Sequence, residues 1–181
     1  MLFVTPGDWR AWLDNNYQAP GVWMRFYKKG KGESINYAQA LDEALCYGWI
    51  DSQVAKYDDD SYLQKFTPRR AKSIWSKRNI TYVQRLVEEG KMTPHGLKEI
   101  DAAKADGRWE RAYDSPANME VPSDFLQALE KLPKAKAFFE TLNKANLYAI
   151  AWRLQTAKKE ATRTRRMETI LAMLDKGEKF H

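Results

Sequence analysis

Apolar and polar residues alternate, as in a half-buried β-strand, only within residues 22–67 of this 181-residue chain. Residues 22–28 form one such run, and residues 49–57 and 62–67 form two more, joined by an acidic turn. From residue 79 onward the apolar residues recur at helical spacing. The sequence therefore predicts the α+β class, with a small mixed β-sheet and helices in the N-terminal part and an all-helical C-terminal part.

Capping residues mark where the helices begin and end. Thr5 followed by Pro6 predicts the start of a first helix. Asn36 with Gln39 three residues later predicts a capping box, for a helix that ends before Gly48. This helix connects the first two strands, which indicates a right-handed crossover between parallel strands and therefore a mixed sheet. Later helices are predicted to start at Asn79, Thr93 and Ser123.

Two proline-containing dipeptides, Ser115-Pro116 and Val121-Pro122, indicate a linker. We therefore predict an α+β domain over residues 1–114 and a helical region over residues 115–181.

The net charge of +6 is concentrated after residue 60. Residues 61–114 carry twelve Lys and Arg against seven Asp and Glu, and residues 115–181 carry twelve against eight. Such a surface is compatible with nucleic acid, anionic lipid or an acidic protein, or with no anionic partner at all. One basic cluster spreads around several sides of a helix and is interpreted as solvated surface: Arg153, Lys158, Lys159, Arg163, Arg165 and Arg166.

The composition argues against several classes of protein and site. No run of about 18 apolar residues is present, so we expect no membrane span, and the N-terminus does not resemble a secretory signal. The single cysteine, Cys46, fits a reducing compartment, and we expect a cytoplasmic protein. Because Cys46 lies in the last turn of its helix, we interpret it as a buried core residue and not as a nucleophile. Two histidines cannot supply a transition-metal site, and we expect no metal and no cofactor.

The strands suggest one candidate site. Trp23, Arg25 and Tyr27 share one face of the first strand, and Trp49 and Asp51 share one face of the second. If the two faces coincide, Arg25 and Asp51 lie among aromatic side chains in a pocket. The alternative is a sheet covered by helices, in which Arg25, or Arg69 further along the chain, forms an ion pair with Asp51.

The stretch FTPRRAKSIWSKRN, residues 66–79, suggests a second candidate site. Arg69 and Arg70 precede a helix start for which Ser73 or Ser76 is a possible cap, and guanidinium groups beside free backbone N–H groups bind anions. We expect Trp75 of this stretch, together with Trp49, to form the walls of such a pocket. The alternative is a structural corner anchored by the same tryptophan.

Four stretches resemble the bacteriocin-protection, YdeI/OmpD-associated family: ALDEALCYGWIDS (40–52), FTPRRAKSIWSKRN (66–79), AKADGRWERAY (103–113) and LQTAKKEATRTRRM (154–167). The resemblance runs from Trp9 nearly to Gly177. It implies a link to bacteriocin and antimicrobial-peptide tolerance and an association with a porin, and it implies no defined reaction. Ser52, His95 and Ala161 depart from the family pattern.

Taken together, these features predict a non-enzymatic cytoplasmic binding protein that recognises a small anionic ligand or an acidic protein surface. One alternative is an enzyme acting on a small anionic substrate, with Asp51 as acid/base and Arg69 and Arg70 holding the anion. A second alternative is a nucleic-acid-binding protein.

Overall fold

The structure, a computed structural model, describes residues 1–114 and 118–181. Its helices are α1 (Pro6–Asn16), α2 (Tyr37–Cys46), α3 (Lys77–Glu88), α4 (Pro94–Ala105), α5 (Ser123–Leu129), α6 (Pro133–Phe139), α7 (Lys144–Gln155) and α8 (Glu160–Asp175). Its strands are β1 (Val22–Tyr27), β2 (Trp49–Lys56) and β3 (Ser61–Pro68). The strands lie in the N-terminal half and the C-terminal part is helical, so the predicted α+β class is confirmed.

The chain divides into two compact units. The first comprises Met1–Trp75 and Asn79–Glu110, and the second comprises Ser76–Arg78 and Arg111–His181. The predicted linker dipeptide Ser115-Pro116 lies outside the described residues. Over the parts of the chain that are described, none of the helices combines the length and the apolarity needed to span a bilayer.

The sheet of the first unit has the strand order β1-β3-β2, and both neighbouring pairs are antiparallel. The prediction of a mixed sheet is therefore wrong in its pairing. β1 and β2 do run in the same direction, as the crossover through α2 requires, but β3 lies between them. A hairpin partner inserted between two parallel strands turns every hydrogen-bonded pair of the sheet into an antiparallel one.

One face of this sheet forms the core of the first unit. Alternate residues of β1 are buried, beginning with Val22, and the aromatic ring of Phe66 on β3 lies on the same face. The ring centroid of Trp9 on α1 lies 5.9 Å from that of Phe66 and 6.1 Å from that of Trp49. The buried indole N–H of Trp9 donates to the carbonyl of Ala40 on α2, 3.1 Å away, which ties both helices to the sheet.

The caps read from the sequence form as expected at α1 and α2. Thr5 and Asp8 bond reciprocally at the start of α1, and Asn36 and Gln39 do so at the start of α2. Gly48 follows α2 with a φ of 73°, the left-handed conformation that ends many helices. Asn79, in contrast, is not a cap, because α3 already begins at Lys77.

Both edges of the sheet are modified. Along β1, the N-terminal amine of Met1 donates to the carbonyl of Trp23, and the amide of Arg25 donates to the carbonyl of Met1 over 2.7 Å. On β2, an irregularity between Asp51 and Val54 shifts the register against β3.

The second unit is built from α5 to α8 around an apolar cluster. Its buried members are Phe125, Leu129, Ala135, Ile150, Leu154, Ile170 and Leu174. The segment after α8 is held by Asn146 of α7, which is 1% exposed. The side-chain oxygen of Asn146 accepts hydrogen bonds from the amides of Phe180 and His181, each over 3.1 Å.

Candidate functional site

A cavity of about 280 Å³ in the second unit brings three arginines together. Its lining comes from the end of α7, the middle of α8 and the segment after α8: Trp152, Arg153, Arg165, Arg166, Thr169, Ile170 and Phe180. All of its ionisable lining groups are arginines, which makes its charge entirely positive.

Helical spacing explains why these side chains share one cavity. Arg165 and Thr169 are four residues apart on α8, as are Arg166 and Ile170, so each pair occupies one side of that helix. Arg153 lies in the last turn of α7, where a positive charge also faces the negative end of the helix dipole. The loop between α7 and α8 spans only residues 156–159, which keeps the two helices close at this end.

Hydrogen bonds fix two of the three guanidinium groups. Arg166 donates through one terminal nitrogen to the carbonyl of Arg153 at 2.7 Å and to the hydroxyl of Thr156 at 3.4 Å. Arg153 donates to the carbonyl of Ala149 at 3.1 Å, and its guanidinium carbon lies 3.8 Å from the ring centroid of Phe180. These contacts use one terminal nitrogen of each guanidinium and leave further N–H donors for another acceptor.

Among the described residues, no Asp or Glu forms an ion pair with Arg153, Arg165 or Arg166. The neighbouring Arg163 bonds both carboxylate oxygens of Asp124 instead, and these hydrogen bonds lower the pKa of Asp124. The cavity is therefore a concentration of positive charge that no acidic side chain of the described chain neutralises.

Arg25 and Asp51 do not share a pocket. Asp51 is paired with Phe66 on the core face of the sheet, whereas Arg25 is paired with Leu63 on the other face. Arg25 forms an ion pair of 2.7 Å with Asp58, and Asp51 accepts a hydrogen bond from the hydroxyl of Tyr37 at 2.8 Å. The expected ion pair of Asp51 with Arg25 or Arg69 is not found among the ion pairs of the described residues.

Residues 66–75 of the arginine-rich stretch form a compact corner in the first unit. The guanidinium carbon of Arg69 lies 3.6 Å from the ring centroid of Trp75, and that ring lies 5.3 Å from the ring of Trp109. Arg69 is 8% exposed, whereas Arg70 is exposed to solvent. The carbonyl of Ser73 accepts a hydrogen bond of 3.0 Å from the buried Arg108, so this turn is tied to the segment after α4.

The other predicted walls of that pocket have different surroundings. Trp49 stacks edge-on against Trp9 and Trp12 and donates to the carbonyl of Tyr17 over 2.9 Å. Ser76 belongs to the second unit, where it forms a β-bridge with Tyr113. The geometry of these residues therefore favours the structural corner, which was the alternative to an anion pocket in the sequence analysis.

Two expectations from the sequence concern Cys46 and metal binding. Cys46 is 1% exposed, and burial raises the pKa of its thiol to about 12, which suits a core residue. Asp58 accepts from the hydroxyl of Ser61 and the amide of Asp60, and these bonds lower its pKa. Within the described ranges, no cluster of His, Cys, Asp and Glu has the form of a metal site.

The arginines of this cavity were noted in the sequence, but it was not predicted that they line a cavity. Its three arginines belong to the basic cluster that the pattern assigned to solvated surface. The signal that identifies them is the four-residue spacing of Arg165 with Thr169 and of Arg166 with Ile170. Their convergence with Phe180 depends on the bonds of Asn146 to the C-terminal segment, and no local pattern carries that information.

Comparison with family models assigns both parts of the chain. Residues 1–99, more than half of the chain, match the family described as Domain of unknown function (DUF8412). The chain belongs to this DUF8412 family. Residues 118–177 match the family described as Bacteriocin-protection, YdeI or OmpD-Associated (OmdA). Among curated proteins and among solved structures, none matches the chain.

The OmdA match confirms the family that the sequence resemblance indicated. It contains the stretch 154–167, whereas the stretches 40–52 and 66–79 fall in the DUF8412 segment and 103–113 falls in neither. Six of the seven residues that line the arginine cavity lie inside the OmdA segment, and Phe180 lies just after it.

Proposed function

We propose that this chain is a cytoplasmic binding protein whose OmdA domain recognises a small anionic ligand in the arginine cavity. The observation that supports the proposal is the convergence of Arg153, Arg165 and Arg166 without a carboxylate partner among the described residues. Arginines elsewhere in the chain, such as Arg10 and Arg85, pair with acidic side chains.

The physical basis of this proposal is the electrostatic repulsion between like charges that lie close together. Three guanidinium groups around one cavity repel one another, and an oxyanion placed between them removes that repulsion. It also gains charge-assisted hydrogen bonds from the N–H groups that the protein leaves open. Two of the groups are already held by backbone carbonyls, so little side-chain freedom is lost when the anion binds.

The proposed biological role is based on the family description. The OmdA name associates these domains with bacteriocin protection and with the protein OmpD. We propose that occupation of the arginine cavity by its anion controls the part this chain plays in such protection. In the alternative of an enzyme, Asp51 is the acid/base and Arg69 and Arg70 hold the anion; Asp51 accepts a hydrogen bond from Tyr37, Arg69 lies against Trp75, and Arg70 is exposed.

Isothermal titration of the full chain with inorganic phosphate tests the proposal. Arg165→Gln and Arg153→Gln each remove one guanidinium, and each is expected to weaken phosphate binding at least about tenfold. Hydrogen bonds to charged groups contribute about 1.5–3 kcal/mol, and about 1.4 kcal/mol corresponds to a tenfold change in Kd.

Lys158→Gln is the matched control, because it removes one exposed positive charge that does not line the cavity. It is expected to leave the Kd within about twofold of the parent value. Equal losses in all three variants would indicate binding by net charge alone. Undetectable binding by the parent chain would rule out an anion site.

A further inference from the structure

The arginine cavity has an apolar side as well as a charged one. Trp152, Ile170 and Phe180 line it with apolar side chains, of which Ile170 is 2% exposed and the other two are half-buried. Along α8 the lining changes from Arg165 and Arg166 to Thr169 and Ile170. Four residues of α-helix correspond to a rise of about 6 Å, so charged and apolar lining are separated by about one helical turn.

The size of the cavity exceeds what a simple oxyanion needs. A water molecule occupies about 30 Å³ in the liquid, so 280 Å³ corresponds to roughly nine waters. A phosphate or carboxylate group beside the arginines would therefore leave most of the volume to another part of the same ligand. The remaining lining is chiefly apolar, and water in contact with it is readily displaced by an apolar group.

We propose, on the basis of the anion-binding function above, that the ligand is an amphipathic small molecule in which one phosphate or carboxylate is attached to a flat ring. The oxyanion lies between the arginines, and the ring lies about one helical turn further along α8, against Phe180 and Trp152. Thr169 sits where the two halves of the ligand join. Its hydroxyl donates to the carbonyl of Arg165 and remains an acceptor for a ligand donor.

Phe180 determines the preference for a ring. Its backbone amide is held by the buried oxygen of Asn146, and its ring lies against the guanidinium of Arg153, so it is fixed from two directions. The guanidinium of Arg153 covers one face of this ring, so a ligand ring contacts Phe180 at its edge, and because the side chain is already fixed this contact costs the protein little conformational entropy. Asn146 is thus a positioning residue for this wall.

A pair of probes tests the inference in the full chain: inorganic phosphate and phenyl phosphate, both followed by isothermal titration. Phenyl phosphate is expected to bind at least tenfold more tightly, about 1.4 kcal/mol. Phe180→Ala is expected to reduce that ratio below about threefold. Leu126→Ala, which truncates an apolar side chain that is 39% exposed and outside the cavity, is the matched control and is expected to retain the ratio.

The outcomes separate this inference from the function on which it depends. Equal affinities for both probes would overturn the flat-ring ligand and leave the anion site intact. A tenfold preference that persists in Phe180→Ala would overturn the assignment of Phe180 as the ring wall. If neither probe binds, the anion site and the inference fall together.

Discussion

Arg69 and Arg70 are adjacent in the sequence and differ completely in their surroundings. Arg69 is almost buried, with its guanidinium against the indole of Trp75, whereas Arg70 is exposed. A buried guanidinium contributes through its cation–π contact and through the packing of its aliphatic stem. An exposed one in high dielectric contributes little to stability.

Arg69→Gln is therefore expected to lower the free energy of unfolding by about 1–3 kcal/mol, because it removes the contact with Trp75. Arg70→Gln is the matched control and is expected to change it by less than about 0.5 kcal/mol. Urea denaturation followed by tryptophan fluorescence measures both. Similar small effects in the two variants would contradict the structural corner, and phosphate binding lost only in these variants would restore the anion pocket proposed from the sequence.

At the scale of helices, glycines near the starts of α1 and α4 have opposite roles. A Cβ on Gly96 would lie 2.3 Å from the carbonyl oxygen of Cys46, at the end of α2. A Cβ on Gly7 would lie 3.6 Å from the hydroxyl of Thr5, an ordinary contact distance. The first glycine permits two helices to approach closely, and the second only lowers helix propensity.

Gly96→Ala is expected to destabilise the chain by about 2 kcal/mol or more, since backbone must move to admit the methyl group. Gly7→Ala is expected to stabilise it by about 0.5–1 kcal/mol, because alanine has the higher helix propensity. Thermal unfolding monitored by circular dichroism at 222 nm compares the two. A Tm for Gly96→Ala at or above that of the parent would show that α2 and α4 are not in close contact.

The caps of α1, α2 and α4 were predictable from the sequence because they are local, whereas strand order and site geometry were not. Asn36 and Gln39 specify their helix start within four residues. The position of β3 between β1 and β2 depends on contacts between distant segments. Whether Arg25 and Asp51 lie on the same face of the sheet depends on that pairing. Alternation within each strand does not determine which face of one strand continues into which face of the next.

At the scale of the whole molecule, two adjacent buried groups make folding sensitive to alkali. Burial raises the pKa of the Cys46 thiol to about 12. Burial and a hydrogen bond to Asp14 raise the pKa of Tyr47 to about 12 as well. An unfolded thiol ionises near pH 9 and an unfolded phenol near pH 10, so the unfolded chain releases protons that the folded chain retains.

Below about pH 9 both groups are protonated in the folded and unfolded chain, and they do not lower the free energy of unfolding. As the pH rises from 9 toward 12, they ionise only in the unfolded chain, so the free energy of unfolding should fall. Each group lowers the free energy of unfolding by up to about 1.4 kcal/mol per pH unit over this range. Urea denaturation at pH 9.5 and 10.5 should show a smaller fall in Cys46→Ala than in the parent, by about 1 kcal/mol. Identical falls would mean that the folded thiol ionises normally.

The segment that pairs with β1 has a consequence for how copies of the molecule meet. At one edge of the sheet, Met1 is hydrogen-bonded to the outward-facing backbone groups of Trp23 and Arg25 on β1. At the other edge, the irregularity after Asp51 interrupts the regular course of β2. An incoming strand needs a continuous row of free donors and acceptors in register. Within the described residues, neither edge of this sheet provides such a continuous row. We therefore expect concentrated solutions to resist aggregation by strand pairing, and any self-association to proceed through side chains.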